Sequence, residues 1–146
     1  MIQRIQSIFL LLAGAGSLSL PAVDFATVDR AVPSSALFAD AQYDVHDSLG
    51  LLIPFLLAGA MAIIAIFMYR HRKNQLLLSR LAFVTNLVGI ILAVVFYMRD
   101  AVYQGSVVPE DGIGLYLPIA GLVLLILAMR YITKDEKLVR SSDRLR

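Results

Sequence analysis

Four long runs of almost uncharged, apolar residues divide this 146-residue chain. They cover residues 5–23, 49–69, 81–98 and 112–130, and the one charged residue among them is Arg130, at the last boundary. A helix needs about 20 apolar residues to cross a hydrocarbon core of about 30 Å. The sequence therefore predicts an all-α integral membrane protein, a bundle of four transmembrane helices that forms one membrane domain over residues 1–146.

Composition excludes the soluble alternatives. The chain is 59% hydrophobic and 16% charged, with a mean hydropathy of +0.77. A compact soluble domain of this size could not cover its surface with so few polar groups. The absence of cysteine from the sequence excludes disulfides, thiolate metal sites and cysteine nucleophiles.

The basic residues determine the predicted orientation. Eleven of the 13 Lys and Arg lie before the first run, between the second and third, or from Arg130 onward. These are Arg4, Arg70, Arg72, Lys73, Arg80, Arg130, Lys134, Lys137, Arg140, Arg144 and Arg146. Basic flanks are retained in the cytoplasm during insertion. We therefore predict outer loops 24–48 and 99–111, a cytoplasmic loop 70–80, a cytoplasmic tail 131–146 and both termini inside.

This charge bias also accounts for the sequence pI of about 9.1. Each cation near the cytoplasmic membrane surface contributes about 1 kcal/mol of attraction to anionic lipid headgroups. The basic character therefore indicates a lipid bilayer as partner and needs no nucleic acid. We expect a multi-pass membrane protein with both termini in the cytoplasm.

The first run has a second interpretation, a cleaved signal peptide. Small residues at Ser17 and Ser19 follow a short basic segment and an apolar stretch, as they do before many cleavage sites. Cleavage there would leave three spans and an outer N-terminus. The apolar run continues through Leu20 to Val23, which favours a retained span.

An internal repeat indicates two helical hairpins in tandem. The residues Gly50-Leu51-Leu52-Ile53-Pro54 in the second run are echoed by Gly114-Leu115-Tyr116-Leu117-Pro118 in the fourth. Two spans per unit would make the repeats parallel. Pro54 and Pro118 are candidate helix kinks close to the outer interface. A hinge at a transport site is the alternative, but their neighbours are apolar and offer a substrate no polar group.

Small residues within the runs predict close helix packing. They are concentrated at residues 13–17 and 58–62, with Gly89 and Gly121 in the later runs. Lipid supplies no hydrophobic drive between helices, so small side chains that let backbones approach are the main packing device. We expect them to serve the intrachain bundle first and docking onto partner subunits second.

Asn86, with Thr85 beside it, is the main polar feature inside the runs. An amide in hydrocarbon seeks a partner on another helix, so structural bonding is the first interpretation and a ligand or ion site the second. Asp, Glu, Lys and His are absent from the four runs. This absence argues against proton-coupled transporters and pumps, which are built around buried ionisable groups.

The first outer loop holds the densest set of potential acid–base groups or metal ligands. Asp44, His46 and Asp47 are the candidates, although Asp47 is better explained as a cap of the second helix. His71 lies on the opposite side, roughly one membrane thickness away, so the two histidines cannot share a metal. We predict no cofactor and no metal. The apolar side chains of this loop predict that it packs against the membrane or a partner.

Three segments together resemble a known family. They are MIQRIQS at residues 1–7, LLLA at 10–13 and DEKLVRSSDRLR at 135–146. The chain resembles, over its full length, the small four-span membrane proteins of Bacteroidota grouped as family 4293 of the domains of unknown function. The resemblance implies an inner-membrane protein of that phylum and carries no activity, cofactor or catalytic residue. The proline-bearing segment 31–41 departs from the family pattern.

Three functional hypotheses follow. The first is a non-enzymatic accessory or scaffold subunit, which packs against a larger inner-membrane complex or self-associates. The alternative is a small oligomeric transporter or channel, which a tandem hairpin repeat permits. The third is a membrane enzyme, which would have to use the outer-loop group Asp44, His46 and Asp47.

Overall fold

The computed structural model describes residues 2–102, 105 and 107–143 and shows a mostly helical chain. Its four α-helices are α1 (Ile2–Leu18), α2 (Leu49–Phe67), α3 (Arg72–Arg99) and α4 (Ile113–Asp143). Three of them, α2, α3 and α4, are long and apolar enough to cross a membrane. The predicted helical membrane protein is confirmed at this level, and α1 is an apolar helix of 17 residues.

The four helices form a closed ring. Each helix packs against its neighbours in the chain, and α1 packs against α4. Phe9 of α1 stacks on Tyr131 near one end of α4, while Asp24, just beyond the other end of α1, accepts a hydrogen bond from the Gly114 N–H at the start of α4. These two contacts make α1 and α4 antiparallel over the length of α1.

In α3, small and polar side chains face the interior of the bundle and large apolar side chains face outward, which is the reverse of a soluble bundle. The five buried residues of α3 are small or polar and recur at helical spacing: Gln75, Ser79, Ala82, Asn86 and Gly89. Between Leu81 and Met98 its exposed side chains are all large and apolar: Leu81, Val84, Leu87, Val88, Ile91, Val94 and Met98. Large apolar side chains are likewise exposed along α1, α2 and α4. A helix surface of this kind is stable against lipid tails and unstable against water.

Glycines bring the helices into close contact. A Cβ atom on Gly14 of α1 would lie 2.7 Å from the Ile63 side chain and 3.2 Å from the Gly59 carbonyl oxygen of α2. A Cβ on Gly89 of α3 would lie 2.8 Å from the Phe55 ring of α2. The prediction that small residues serve packing within the chain is confirmed at these positions.

Helix boundaries differ from the predicted loops. Residues 72–80, predicted as part of a cytoplasmic loop, form the first turns of α3, and the turn between α2 and α3 covers only residues 68–71. Arg, Lys, Gln and Leu are good helix formers, so the helix continues past the point where its hydropathy falls. At the other end, α1 stops at Leu18, and a 3₁₀ turn over Leu20–Ala22 follows, because Pro21 cannot extend an α-helix.

The two predicted outer loops fold together into a small cap on one end of the bundle. The cap comprises residues 20–48, 100–102 and 107–111. It contains the strands β1 (Ala26–Thr27), β2 (Gln42–Tyr43) and β3 (Glu110–Asp111), in the antiparallel order β2-β1-β3. A 3₁₀ turn over Val45–Asp47 leads into α2. The sheet is the main departure from the all-α prediction.

Apolar side chains of the long loop form the core of the cap. Phe25, Phe38, Tyr43 and Val45 are all buried, and their cluster includes Phe55 of α2. The loop was expected to pack against the membrane or a partner, but it packs on the end of its own bundle. Two-residue strands have little stability alone, so this apolar core stabilises the sheet.

The start of α4 meets the cap at a backbone contact that only glycine permits. The Gly112 N–H donates to the Phe25 carbonyl at 2.8 Å, and a Cβ atom on Gly112 would lie 2.2 Å from the Asp24 carbonyl oxygen. A side chain at this position must push the cap away from α4.

We expect Gly112→Ala to lower the free energy of unfolding by about 1–3 kcal/mol, the usual cost of overpacking. The matched control is Gly16→Ala, where a Cβ atom meets nothing within 4 Å. This control should be neutral or stabilising, because Ala favours a helix more than Gly. Thermal unfolding in nonionic detergent, followed by circular dichroism, measures both variants. Equal melting temperatures for the two would contradict the contact.

Candidate functional site

The outer-loop group Asp44, His46 and Asp47 forms a local turn. The Asp44 carboxylate accepts a hydrogen bond from the His46 N–H at 2.5 Å, and the Asp47 carboxylate accepts one from the Asp44 N–H at 2.9 Å, which makes a capping box. The Nε2–H tautomer of His46 donates to the Pro21 carbonyl at 3.1 Å. These contacts tie the entry of α2 to the segment that leaves α1.

In this turn the side chains of Asp44, His46 and Asp47 make structural contacts. The N-cap residue of α2 is Ser48 rather than the predicted Asp47, because the Ser48 hydroxyl oxygen accepts a hydrogen bond from the Gly50 N–H at 3.1 Å. Asp47 instead completes the capping box of the preceding 3₁₀ turn, whose N-cap residue is Asp44. Within residues 2–102, 105 and 107–143, no group of three or more His, Asp or Glu side chains could hold a metal ion. Desolvation and the nearby carboxylates of Asp44, Asp40 and Asp100 raise the pKa of Asp47 to about 6, against the lowering effect of its hydrogen bond from Asp44.

Asp100 organises the cap, although the sequence predicted for it no role beyond a place in the outer loop 99–111. Its side chain is 6% exposed and accepts four hydrogen bonds. The donors are the Ser35 hydroxyl at 2.6 Å and the backbone N–H groups of Val102 at 2.9 Å, Ala36 at 3.0 Å and Leu37 at 3.2 Å. Burial raises the pKa of this carboxyl, but the four hydrogen bonds outweigh it and hold the pKa below the usual value.

This carboxylate joins two segments about 65 residues apart in the chain. The Ser35 hydroxyl oxygen also accepts hydrogen bonds from the N–H groups of Leu37 and Phe38. Ser35 and Asp100 together thus supply acceptors for the backbone N–H groups of residues 36–38. A signal for it was present in the sequence, since an Asp two residues after the end of a long apolar run and the Ser34-Ser35 pair are both typical of backbone-bonding turns. Nothing in the sequence linked the two.

A small apolar pocket lies beneath the cap, between α3 and α4. Its volume is about 220 Å³, and Phe25, Tyr43, Phe55 and Tyr97 line it, with Asp111 at its edge. The Tyr43 hydroxyl donates to the Ala93 carbonyl at 2.8 Å, and burial, then the charges of Asp47 and Asp100, raise the pKa of Tyr43. The pocket is smaller than the roughly 300–1,000 Å³ of most ligand sites, so it admits a small apolar group at most.

Asn86 and Thr85 point in different directions. Asn86 is fully buried and donates to the Pro118 carbonyl of α4 at 2.9 Å, while Thr85 is exposed and donates to the Leu81 carbonyl of its own helix at 2.7 Å. A Cβ atom on Gly121 would lie 3.3 Å from the Asn86 amide nitrogen. Gly121 therefore gives Asn86 room to reach α4, and Asn86 links the two helices in the middle of the bundle.

The prolines occupy equivalent positions. Pro54 is the sixth residue of α2 and Pro118 the sixth of α4, as the predicted repeat requires. Their surroundings differ: Gly50 faces the Phe96 ring, whereas Gly114 lies against the Asp24 backbone. The two prolines thus occupy the same helix position, as the sequence repeat predicts, but the repeated residues make different tertiary contacts.

The bundle interior holds more polar side chains than the sequence indicated. Gln6 and Ser17 of α1 and Gln75 and Ser79 of α3 are all at most 3% exposed. The Ser79 hydroxyl donates to the Gln75 carbonyl at 2.8 Å. Gln75 and Ser79 were missed because they fall in residues 72–80, predicted as a loop. Their helical spacing with Asn86 was the signal that could have found them.

A family model for a domain of unknown function, DUF4293, matches residues 2–145, nearly the whole chain. The chain belongs to the DUF4293 family. The resemblance of its terminal segments is thereby confirmed. No curated protein and no solved structure matches this chain. Membership of DUF4293 assigns the protein no activity, so its function has to be argued from the geometry.

Asp100 gives this DUF4293 protein a testable pH dependence. A carboxyl whose pKa is lowered by folding contributes stability that is present above its unfolded pKa of about 4 and lost as the pH falls through the folded pKa. We expect Asp100→Asn to destabilise the protein at pH 7 by about 1.5–3 kcal/mol, as for hydrogen bonds to charged groups. The variant should also lose less stability than the native protein between pH 5 and pH 3.

Thermal unfolding in nonionic detergent from pH 3 to pH 7 measures this dependence. Asp29→Asn is the control, because Asp29 is an exposed acid of the same cap and should behave as the native protein. A pH profile for Asp100→Asn that parallels the native profile would contradict the assignment.

Proposed function

We propose that the protein is a four-span protein of the bacterial inner membrane, with both termini in the cytoplasm. We infer further that it is a non-enzymatic accessory or scaffold subunit of a larger membrane complex. Three helices have the length and hydropathy for a span. The observation that carries the subunit proposal is a small-residue face of α1 that its own bundle leaves open.

The packing of α1 supports a fourth span. It runs antiparallel along α4, from the Phe9–Tyr131 stack to the Asp24–Gly114 hydrogen bond, so it shares the depth of a helix that is long enough to cross. Its exposed side chains include Ile8, Leu11 and Leu12, which are all about half exposed and are stable in lipid. Because α1 also supplies Leu10 and Ala13 to the bundle core, cleavage near Ser17 as a signal peptide would remove part of that core.

The charges support the proposed orientation. The cap end carries Arg30 and Arg99, and the other basic residues of the described chain lie at the opposite end of the helices or in the turn between α2 and α3. Cytoplasmic flanks are the ones enriched in Lys and Arg. An even number of spans then leaves both termini on the cytoplasmic side, and the cap on the outer side.

The open face of α1 supports docking of a partner helix. A Cβ atom on Gly16 would meet nothing within 4 Å, whereas one on Gly14 or Gly59 would press on a neighbouring helix. Ala15 and Leu12 beside Gly16 are exposed. Small residues on a lipid-facing surface let another helix approach closely. The outer-loop group Asp44, His46 and Asp47 is engaged in capping contacts, which supports a non-enzymatic role.

The test is extraction of the tagged native protein in mild detergent, followed by native gels and mass spectrometry. We expect a defined complex with other membrane subunits in fixed stoichiometry. Gly16→Ile should remove those subunits by blocking close helix approach, while the melting temperature of the protein stays unchanged.

The control variant is Ala120→Ile, which places the same side chain at an exposed position of α4 and should leave the complex intact. Migration of the native protein as a lone monomer would contradict the proposal. Loss of the complex in both variants would contradict the assignment of the docking face to α1.

A small oligomeric transporter or channel is the second candidate, and the polar interior favours it. The side-chain oxygen of Gln6, both amide atoms of Gln75 and the oxygen of Asn86 have no hydrogen-bond partner among the described residues. Buried unpartnered polar atoms are costly, which is consistent with a polar pathway. In this case the native protein extracts as a homo-oligomer, and Asn86→Leu abolishes ion flux in liposomes while the oligomer persists. Undiminished flux in that variant would exclude the role of Asn86.

A further inference from the structure

A groove of about 440 Å³ runs along the surface between α3 and α4, at the end opposite the cap. Four basic side chains line it: Arg80 of α3 and Arg130, Lys134 and Lys137 of α4. The three on α4 lie at i, i+4 and i+7 and so share one face of the helix. None of the four forms an ion pair with a side chain that the structure describes, and all four are exposed.

The two acidic residues of this end whose side chains the structure describes, Asp135 and Glu136, are not among the residues that line the groove. Asp135 forms an ion pair with Arg72, on a different face of α4 from the groove. The described residues that line the groove include no Asp or Glu. The groove therefore concentrates uncompensated positive charge, which is complementary to an anion.

The depth of the two arginines matches the phosphate layer of a membrane. The contacts Arg72–Asp135 and Asn86–Pro118 set the antiparallel register of α3 and α4, and this register places Arg80 about level with Ile126. Arg130 is then one turn further out, about 6 Å along the axis. A headgroup layer is about 5–8 Å thick on each side of the hydrocarbon core, so one layer covers both guanidinium groups.

The floor of the groove is apolar. Leu76, Ile126 and Met129 line it together with the basic side chains, and Val123, one turn further along α4, is exposed. A soluble anion would occupy only the basic part of the groove and make no contact with this apolar strip. A phospholipid fills both parts, because its acyl chain continues along the strip while its phosphate accepts hydrogen bonds from the arginines.

We propose that this groove is a specific binding site for a phospholipid with an anionic headgroup. Its phosphate binds between Arg80 and Arg130, and Lys134 and Lys137 contact the outer part of the headgroup. The proposal rests only on α3 and α4 crossing the bilayer. It does not depend on any partner subunit or on the transporter alternative.

The test is native mass spectrometry of the purified full-length protein with defined lipids added in nonionic detergent. We expect phosphatidylglycerol to remain bound at concentrations where phosphatidylcholine does not. Arg80→Gln combined with Arg130→Gln should weaken phosphatidylglycerol binding about 30-fold, since each lost cation costs about a factor of five.

The matched control is Arg70→Gln combined with Lys73→Gln, which removes two basic charges close to the same end but outside the groove. This control should weaken binding less than about threefold. Equal loss in both double variants would overturn the proposal in favour of general charge attraction. Equal binding of phosphatidylcholine, or displacement of the lipid by millimolar inorganic phosphate, would overturn it as well.

Thermal unfolding of both double variants, followed by circular dichroism, tests whether they are as stable as the native protein. Because all four mutated side chains are exposed, we expect native melting temperatures. If the groove variant melts as the native protein does and still binds phosphatidylglycerol with native affinity, the site does not exist.

Discussion

The structure depends on the exclusion of unpaired polar groups from hydrocarbon. A membrane interior offers no water, so polar side chains are turned toward other helices and large apolar ones outward. In α3 this constraint appears as one stripe, from Gln75 through Asn86 to Gly89, that faces the bundle while Leu, Val and Ile cover the rest. The glycine contacts between α1 and α2 and the Asn86–Pro118 bond follow from the same rule, since helices without a hydrophobic drive need close approach and hydrogen bonds to stay together.

The same constraint explains the cap. A segment of 30 residues separates α1 from α2, and its backbone N–H and C=O groups need partners wherever it lies against the bundle. Three short strands and the Asp100 cluster supply them, and Asp100 accepts the N–H groups of Ala36 and Leu37 in this segment. The cap thereby gives α1 and α4 a fixed connection at Gly112. A folded cap at one end and an open α1 face together favour the proposed role as a protein that positions other components.

The sequence predicted the features that depend on local composition. The apolar runs located the helices, and the small residues indicated the close crossings. The ends of α3 and α4 were less predictable, because a helix continues past its apolar run wherever residues such as Arg72 and Lys73 favour it. The Asp100 cluster and the strands could not be predicted, since Ser35 and Asp100 are joined only by the tertiary fold. The groove beside Arg80 depends likewise on the register of two helices.

Membrane topology tests the central claim most directly. A reporter enzyme that is active only outside the cytoplasm can be fused after Asp40 or Gln104, and after Lys73 or Arg146. Four spans with the cap outside predict activity for the first two fusions and silence for the last two, since the 11 basic residues at the other end hold it in the cytoplasm. Activity of the Lys73 fusion would contradict the arrangement of the helices in the membrane.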